Sequence, residues 1–152
     1  MAGRITFTII KPAAVKNEFI GPILDKIHEA GFHIAGMKMV QLSRNEARSF
    51  YCVHQGKSFF DELIEFMVSG PIVVAVLEKD NAVADFRKLI GNTDPTKAEE
   101  GTIRKMFAQS VQANAVHGSD SDENAKKESE YFFAGHERFF LENSGCVQGS
   151  MN

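Results

Sequence analysis

Gly70-Pro71-Ile72-Val73-Val74-Ala75-Val76-Leu77 is a turn followed by six apolar residues in a row, four of them β-branched. A short apolar run without alternation, opened by Gly-Pro, predicts a central strand buried on both faces. The rest of the chain is read outward from it. Upstream, Ser43-Arg44-Asn45-Glu46 is a capping box that starts a helix, bringing Ala47, Phe50 and Tyr51 near one another. Gly56 breaks that helix, and Ser58 is expected to cap a second one through Phe59, Phe60, Leu63, Ile64 and Met67. Together they predict a helical hairpin.

Further upstream, residues 32–42 read as a strand. The helix before it opens at Gly21-Pro22, repeats Ile23, Ile27 and Ala30 at helical spacing, and stops at Gly31. The first strand is Arg4-Ile5-Thr6-Phe7-Thr8-Ile9-Ile10, with Ile5, Phe7 and Ile9 on one face. Lys11-Pro12 ends it, which places Lys11 at a strand's carboxyl end, where such sheets hold ligands. Alone, Lys11 would be a solvated strand-end lysine.

Downstream, Asn81 is expected to cap a helix with Val83, Phe86, Leu89 and Ile90 inward and Arg87 near the rim. Residues 91–101 form a long polar loop, and Thr102-Ile103-Arg104 resumes order as a short helix. A brief strand is expected over 113–116. Ser121 caps the last main helix, which Tyr131-Phe132-Phe133 anchors, and Glu128 faces back from its second turn. Phe139, Phe140 and Leu141 are expected to dock on the body. Without the helical pair the order is βαββαβ, a ferredoxin-like α+β plan: a four-stranded antiparallel sheet with helices on one face, an inserted helical hairpin and a C-terminal helix. The reading is one domain over 1–144 with a frayed tail at 145–152.

The chain has 152 residues and a net charge of −3, which does not recommend nonspecific nucleic-acid binding. No apolar run approaches the ~20 residues of a membrane helix. Cys52 and Cys146 form neither a disulfide framework nor a Cys-x-x-Cys pair, so a reducing cytoplasm is the simplest compartment. Gly31-Phe32-His33-Ile34-Ala35-Gly36-Met37-Lys38 is no phosphate loop, because Met37 separates Gly36 from Lys38 and no Ser or Thr follows.

Chemistry concentrates at Asn114-Ala115-Val116-His117-Gly118-Ser119-Asp120. A neutral imidazole at a strand-to-helix corner can be a base, a metal ligand or a nucleophile. By position alone a turn histidine is the plainer reading. Lys11, Arg87, Arg104 and His117 fall at element ends, with Thr93, Asn114 and Ser119 as neutral partners and Tyr51 and Phe59 as flat faces. Such a set suits a nucleotide: cations and hydroxyls for phosphates, a ring for the base.

The stretch resembles the N-x-x-H-G-S-D signature of nucleoside diphosphate kinases. The likeness continues through Ile10-Lys11-Pro12, Phe59-Phe60, Ser69-Gly70-Pro71, Arg87-Lys88-Leu89-Ile90-Gly91 and Gly101-Thr102-Ile103-Arg104, over roughly residues 4 to 141. The chain is similar to a bacterial-like short form. The resemblance implies that His117 takes the γ-phosphate on Nδ1 and returns it in a ping-pong cycle. It implies that Glu128 and Ser119 hold the imidazole, that Lys11, Tyr51, Arg87, Thr93, Arg104 and Asn114 contact phosphates and ribose, and that Phe59 stacks on the base with little selectivity. Magnesium is expected on the nucleotide phosphates rather than in a protein cage, and a homo-oligomer, tetramer or hexamer, is expected. His28, His33, His54 and His136 have no matching context. Ala13 departs from the aspartate usual after Lys-Pro, Glu100 from a proline of some members, and Lys105-Met106 from a more acidic or small pair. The competing readings are a noncatalytic nucleotide-sensing module, which has no need of His117 or Glu128, and a metal site from His117, Asp120, Asp122 and Glu128.

Overall fold

A computed structural model of the chain describes residues 3–141. The tail at 145–152 and the domain boundary at 144 lie outside the described residues. Four strands, β1 (Ile5–Ile10), β2 (His33–Val40), β3 (Ile72–Glu78) and β4 (Val116–Gly118), form one antiparallel sheet in the order β2-β3-β1-β4. Every residue of β3 is buried, as its unbroken apolar run requires. The neighbouring β1 is buried from Thr6 to Ile10, so its apolar alternation understated how deeply it sits.

The sheet is covered on both faces. On one, Val73, Ala75 and Leu77 meet Ile23 and Ile27 of α2 (Ile20–Glu29) and Phe86 and Ile90 of α5 (Ala82–Ile90), the two helices of the ferredoxin-like plan. On the other, Phe7, Ile9, Val74 and Val76 meet Ala47 of α3 (Arg44–Phe50), Ile64 and Met67 of α4 (Phe60–Met67), and Phe133 just after α7 (Asp122–Phe132). The two helices of the ferredoxin-like plan share one face as expected, and the inserted hairpin and last helix supply the cover of the other. Each large aliphatic side chain taken fully from water contributes about 1.5–3 kcal/mol as an upper estimate.

Helix starts follow the sequence with three exceptions. Ser43 makes the expected capping box with Glu46, and Ser121 accepts from Asn124 N. Pro12, however, opens a five-residue helix, α1 (Pro12–Lys16), instead of a plain turn. Its missing N–H costs nothing at a first helical position. The residue before α4 is Phe59, not Ser58, and Asn81 stands before α5 at φ 54° without a side-chain cap. A last short helix, α6 (Ile103–Phe107), follows the 91–101 loop.

β4 lies later than expected and includes His117 itself, opposite Ile9 of β1. Phe140 docks through its partly buried ring against the core, whereas Phe139 and Leu141 dock through backbone. Phe139 N donates to Ala35 O at 2.7 Å and Leu141 N to the Glu78 carboxylate at 2.8 Å, while the rings and branch of Phe139 and Leu141 stay exposed. Among the described residues no helix is long and apolar enough to cross a membrane.

Candidate active site

Pairing with Ile9 puts the His117 side chain on the same face of the sheet as Phe7. There α7 delivers Glu128. Imidazole Nε2 and Glu128 Oε1 are 2.9 Å apart, and Ser119 Oγ donates to the same oxygen at 2.7 Å. Ser119 is fixed in turn by β1: Phe7 N donates to its Oγ at 3.1 Å, and its own N–H donates to Phe7 O at 3.2 Å. A carboxylate accepting at Nε2 selects the tautomer with its proton there, so the Nδ1 lone pair is open. Glycine is required beside the imidazole, since a Cβ at Gly118 would stand 2.9 Å from Ile90 Cδ1.

The approach to His117 is a strained turn. Ala115 has φ +75°, and Val116 N donates to Asn114 O two residues back at 2.9 Å, the hydrogen bond of a γ-turn. Positive φ in a non-glycine residue is costly and is held here by its surroundings; Lys11 N donates to Ala115 O at 2.9 Å. The turn aims Asn114, whose Oδ1 accepts from Lys11 Nζ at 2.7 Å and whose amide reaches Thr93 O at 3.4 Å.

Arg104 is buried on α6. It donates through Nη1 to Gly91 O at 3.0 Å and through Nη2 to Val116 O at 2.9 Å, while its Nε lies buried without a partner. Gly91 has φ +86°, and a Cβ there would meet Thr102 at 2.7 Å, so only glycine turns that carbonyl to the arginine. Burial and the Arg104 charge push the Lys11 ammonium down to about 7. Burial and the Arg87 charge push Arg104 down to about 10. Cations held together away from water are stabilised by an arriving anion, so the cluster is suited to phosphate.

The remaining residues stand around these two groups. Tyr51 is buried, its hydroxyl has no partner, and burial and then Glu128 push the phenol up. Arg87 and Thr93 are exposed; with Gly91, Asn92 and Arg104 they line a cavity of about 210 Å³. A second cleft of about 460 Å³ reaches His117 and Glu128 between residues 49–54 and α7. Phe59 is exposed on the hairpin and lines neither; His54, which lacked any sequence signal, joins it to the cleft, with ring centroids 5.4 Å apart. A larger groove of about 680 Å³ between α1 and α4 holds Ala13 but none of the site residues.

The four-residue metal site does not assemble. Asp120 accepts from Asn124 Nδ2 at 2.6 Å, Asp122 accepts from Gly3 N at 2.9 Å, and no group of three His, Cys, Asp or Glu converges among the described residues. Sequence reading missed the rings that flank the imidazole, Phe7 and Phe50, with centroids at 6.1 and 5.7 Å. It also missed Gly91 and the Ala115 turn. Apolar periodicity assigned both rings to the core, and a positive φ at alanine leaves no mark in sequence.

Comparison with known proteins shows the family and the fold. The family described as nucleoside diphosphate kinase matches residues 4–138. A nucleoside diphosphate kinase of Salinibacter ruber is 56% identical over 137 residues, covering 90% of this chain and 96% of that protein. The Aquifex aeolicus nucleoside diphosphate kinase structure superposes with a TM-score of 0.87 at 40% identity, covering 89% of this chain and 98% of the other. A halophilic nucleoside diphosphate kinase from Halobacterium salinarum, solved in complex with CDP, superposes with a TM-score of 0.86 at 32% identity, covering 92% and 93%.

Proposed function

This chain belongs to the nucleoside diphosphate kinase family, and from that premise we propose that His117 carries the phosphoryl group between its two nucleotides. The reaction moves the γ-phosphate of a nucleoside triphosphate to a nucleoside diphosphate. The observation that carries the residue assignment is the Nε2–Glu128 hydrogen bond of 2.9 Å, which leaves Nδ1 as the attacking nitrogen. Nδ1 attacks the γ-phosphorus in line, the bond to the β–γ bridging oxygen breaks, and the diphosphate leaves. A terminal oxygen of an incoming diphosphate then attacks the same phosphorus, and the electron pair returns to Nδ1. Glu128 supports the positive charge that the phosphorylated ring develops, and Ser119 keeps the carboxylate in place.

Lys11, Arg87 and Arg104 neutralise the phosphate oxygens, and Asn114 and Thr93 supply neutral hydrogen bonds. Tyr51, whose unpartnered buried hydroxyl lies in the cleft with His117 and Glu128, is a further phosphate donor in this reading. The cationic and amide donors offer no carboxylate cage, so magnesium belongs to the substrate, bound on its phosphates. Phe59 offers a face for stacking, which supports broad base tolerance. Edge strand β2 carries exposed Met37 and Met39, and exposed Phe139 is hydrogen-bonded to its Ala35, an apolar surface that supports a homo-oligomer. The exposed free thiol of Cys52 fits a reducing cytoplasm. A sensing module would bind through the cations alone and gives no reason for Ser119 and Glu128 to close on His117.

Initial-rate measurements with two nucleotides test the cycle. Double-reciprocal lines for ATP and a second nucleoside diphosphate should be parallel, and His117→Ala should fold normally and abolish transfer. Intersecting lines, or substantial turnover by the pure variant, would overturn the covalent route.

A further inference from the structure

Tyr131 opens the aromatic run at the end of α7, and its hydroxyl makes a contact that packing alone does not require. It donates to Glu46 O of α3 at 3.1 Å, across 85 positions of chain. Among the described residues this is the one hydrogen bond between α7 and the hairpin at 43–68. On α3, Glu46 and Phe50 stand at i and i+4 and share a face; on α7, Glu128 and Tyr131 stand at i and i+3 and share another. The Tyr131 ring meets the Phe50 ring, with centroids 5.8 Å apart at 64°, and Phe50 meets Tyr51, the next residue, at 4.9 Å and 79°. Tyr131 thus holds α3 by hydroxyl and by ring, one turn from the carboxylate that is hydrogen-bonded to His117. Tyr51, His117, Glu128 and Tyr131 all line the cleft of about 460 Å³, which is part of the nucleotide site described above. The buried Tyr51 hydroxyl has no protein partner, so no bond of its own fixes it, and its place is inherited from the end of α3.

We propose that Tyr131 is a positioning residue for phosphoryl transfer: its hydroxyl ties α3 to α7 and so sets where the Tyr51 hydroxyl stands relative to the His117–Glu128 pair. The inference rests on the reading of His117 as phosphoryl carrier and of Tyr51 as phosphate donor. Placement governs the rate here because phosphoryl transfer depends chiefly on donors held in position about the transferred group. Tyr131 is 43% exposed, so water competes for the tie, and its loss has the weight of a single neutral hydrogen bond. Its hydrogen bond and ring contacts go to Glu46, Phe50 and Phe132, none of them a cation of the phosphate cluster, so the rate should depend on it more than nucleotide affinity does.

The test is the rate of phosphoenzyme formation in a single turnover with ATP and magnesium, followed across ATP concentrations for Tyr131→Phe, Tyr51→Phe and the double variant. Tyr131→Phe keeps the ring and removes one hydroxyl, and Tyr51→Phe removes a hydroxyl that no protein group pairs with, so all three should fold. Tyr131→Phe should lower the maximal rate about three- to tenfold with the half-saturating ATP concentration nearly unchanged. In the Tyr51→Phe background it should have little further effect, because it acts through Tyr51. An unchanged maximal rate in Tyr131→Phe, with or without a lower melting temperature, would overturn the inference and leave phosphohistidine chemistry standing. Losses that multiply in the double variant would overturn it as well, since Tyr131 would then act by another route. A silent Tyr51→Phe would remove the Tyr51 assignment together with the inference, and absence of phosphoenzyme in the parent would remove the His117 reading too.

Discussion

Lys11 and Arg104 take only neutral oxygens, from Asn114, Gly91 and Val116, whereas His117, Ser119 and Glu128 close on one another. The first group is electrostatically unfinished: neighbouring cations depress each other, and a buried Nε points at nothing. The second is finished before substrate arrives, with one carboxylate oxygen serving both ring and hydroxyl. The difference divides the work. In the proposed reaction the cations bind charge that comes and goes with each nucleotide, and the ligand would complete their balance. The proposed cycle requires the imidazole to present the same nitrogen in both half-reactions, and the hydrogen bonds of Glu128 and Ser119 fix its orientation in the fold.

The largest expected effect breaks the imidazole group outright. His117→Ala should lose essentially all transfer while nucleotide binding, followed by fluorescence or calorimetry, survives; loss of binding as well would mean the two groups are not separable. Breaking the cation group comes next. Arg104→Ala should reduce kcat by about 10³–10⁵, the range for a positioned arginine in phosphoryl transfer, and should also lower the melting temperature because two backbone carbonyls lose their donor. A near-normal kcat would place Arg104 outside the reaction. Glu128→Gln sharpens the comparison. It keeps the shape at Nε2 but removes the charge, and a drop of roughly 10²-fold in kcat is expected, with KM for the nucleotide nearly unchanged. A rise in KM alone would put Glu128 with the binding group.

The smallest effect is a fraction of a proton. Lys11 is lowered to about 7 in the free protein, so above that pH it is largely neutral until phosphate arrives. Nucleotide binding should therefore take up protons between about pH 7 and 10, read from calorimetry in buffers of different ionisation enthalpy. The sign for folding follows from the same shift. The unfolded lysine holds its proton to higher pH, so Lys11 opposes folding most below pH 7 and progressively less as pH rises toward 10.5. Lys11→Met should abolish the proton uptake; uptake that persists would assign it to another group.

The same division explains what was legible in the sequence. The core read well because it depends on apolar spacing: the run at Ile72, the capping box at Ser43 and the Ser121 cap all fell where expected. Sheet topology followed from element order. The candidate site residues were named by resemblance, since nothing in periodicity says that Lys11 meets Asn114, 103 positions away. What stayed hidden was local backbone chemistry. Pro12 starts a helix as readily as it ends a strand, Ala115 adopts a positive φ because Lys11 and Val116 hold it there, and β4 begins at Val116 because that turn delays the ladder. Phe139 looked like core by hydrophobicity, yet its backbone is what docks.

The most direct measurement is intact mass of the protein mixed with ATP and magnesium before any acceptor is added. One acid-labile phosphoryl group should appear, discharge on adding a nucleoside diphosphate, and be absent in His117→Ala. Folded, ATP-binding protein that gains no mass, or a phosphoryl group retained by His117→Ala, would contradict the assignment of His117 as the carrier.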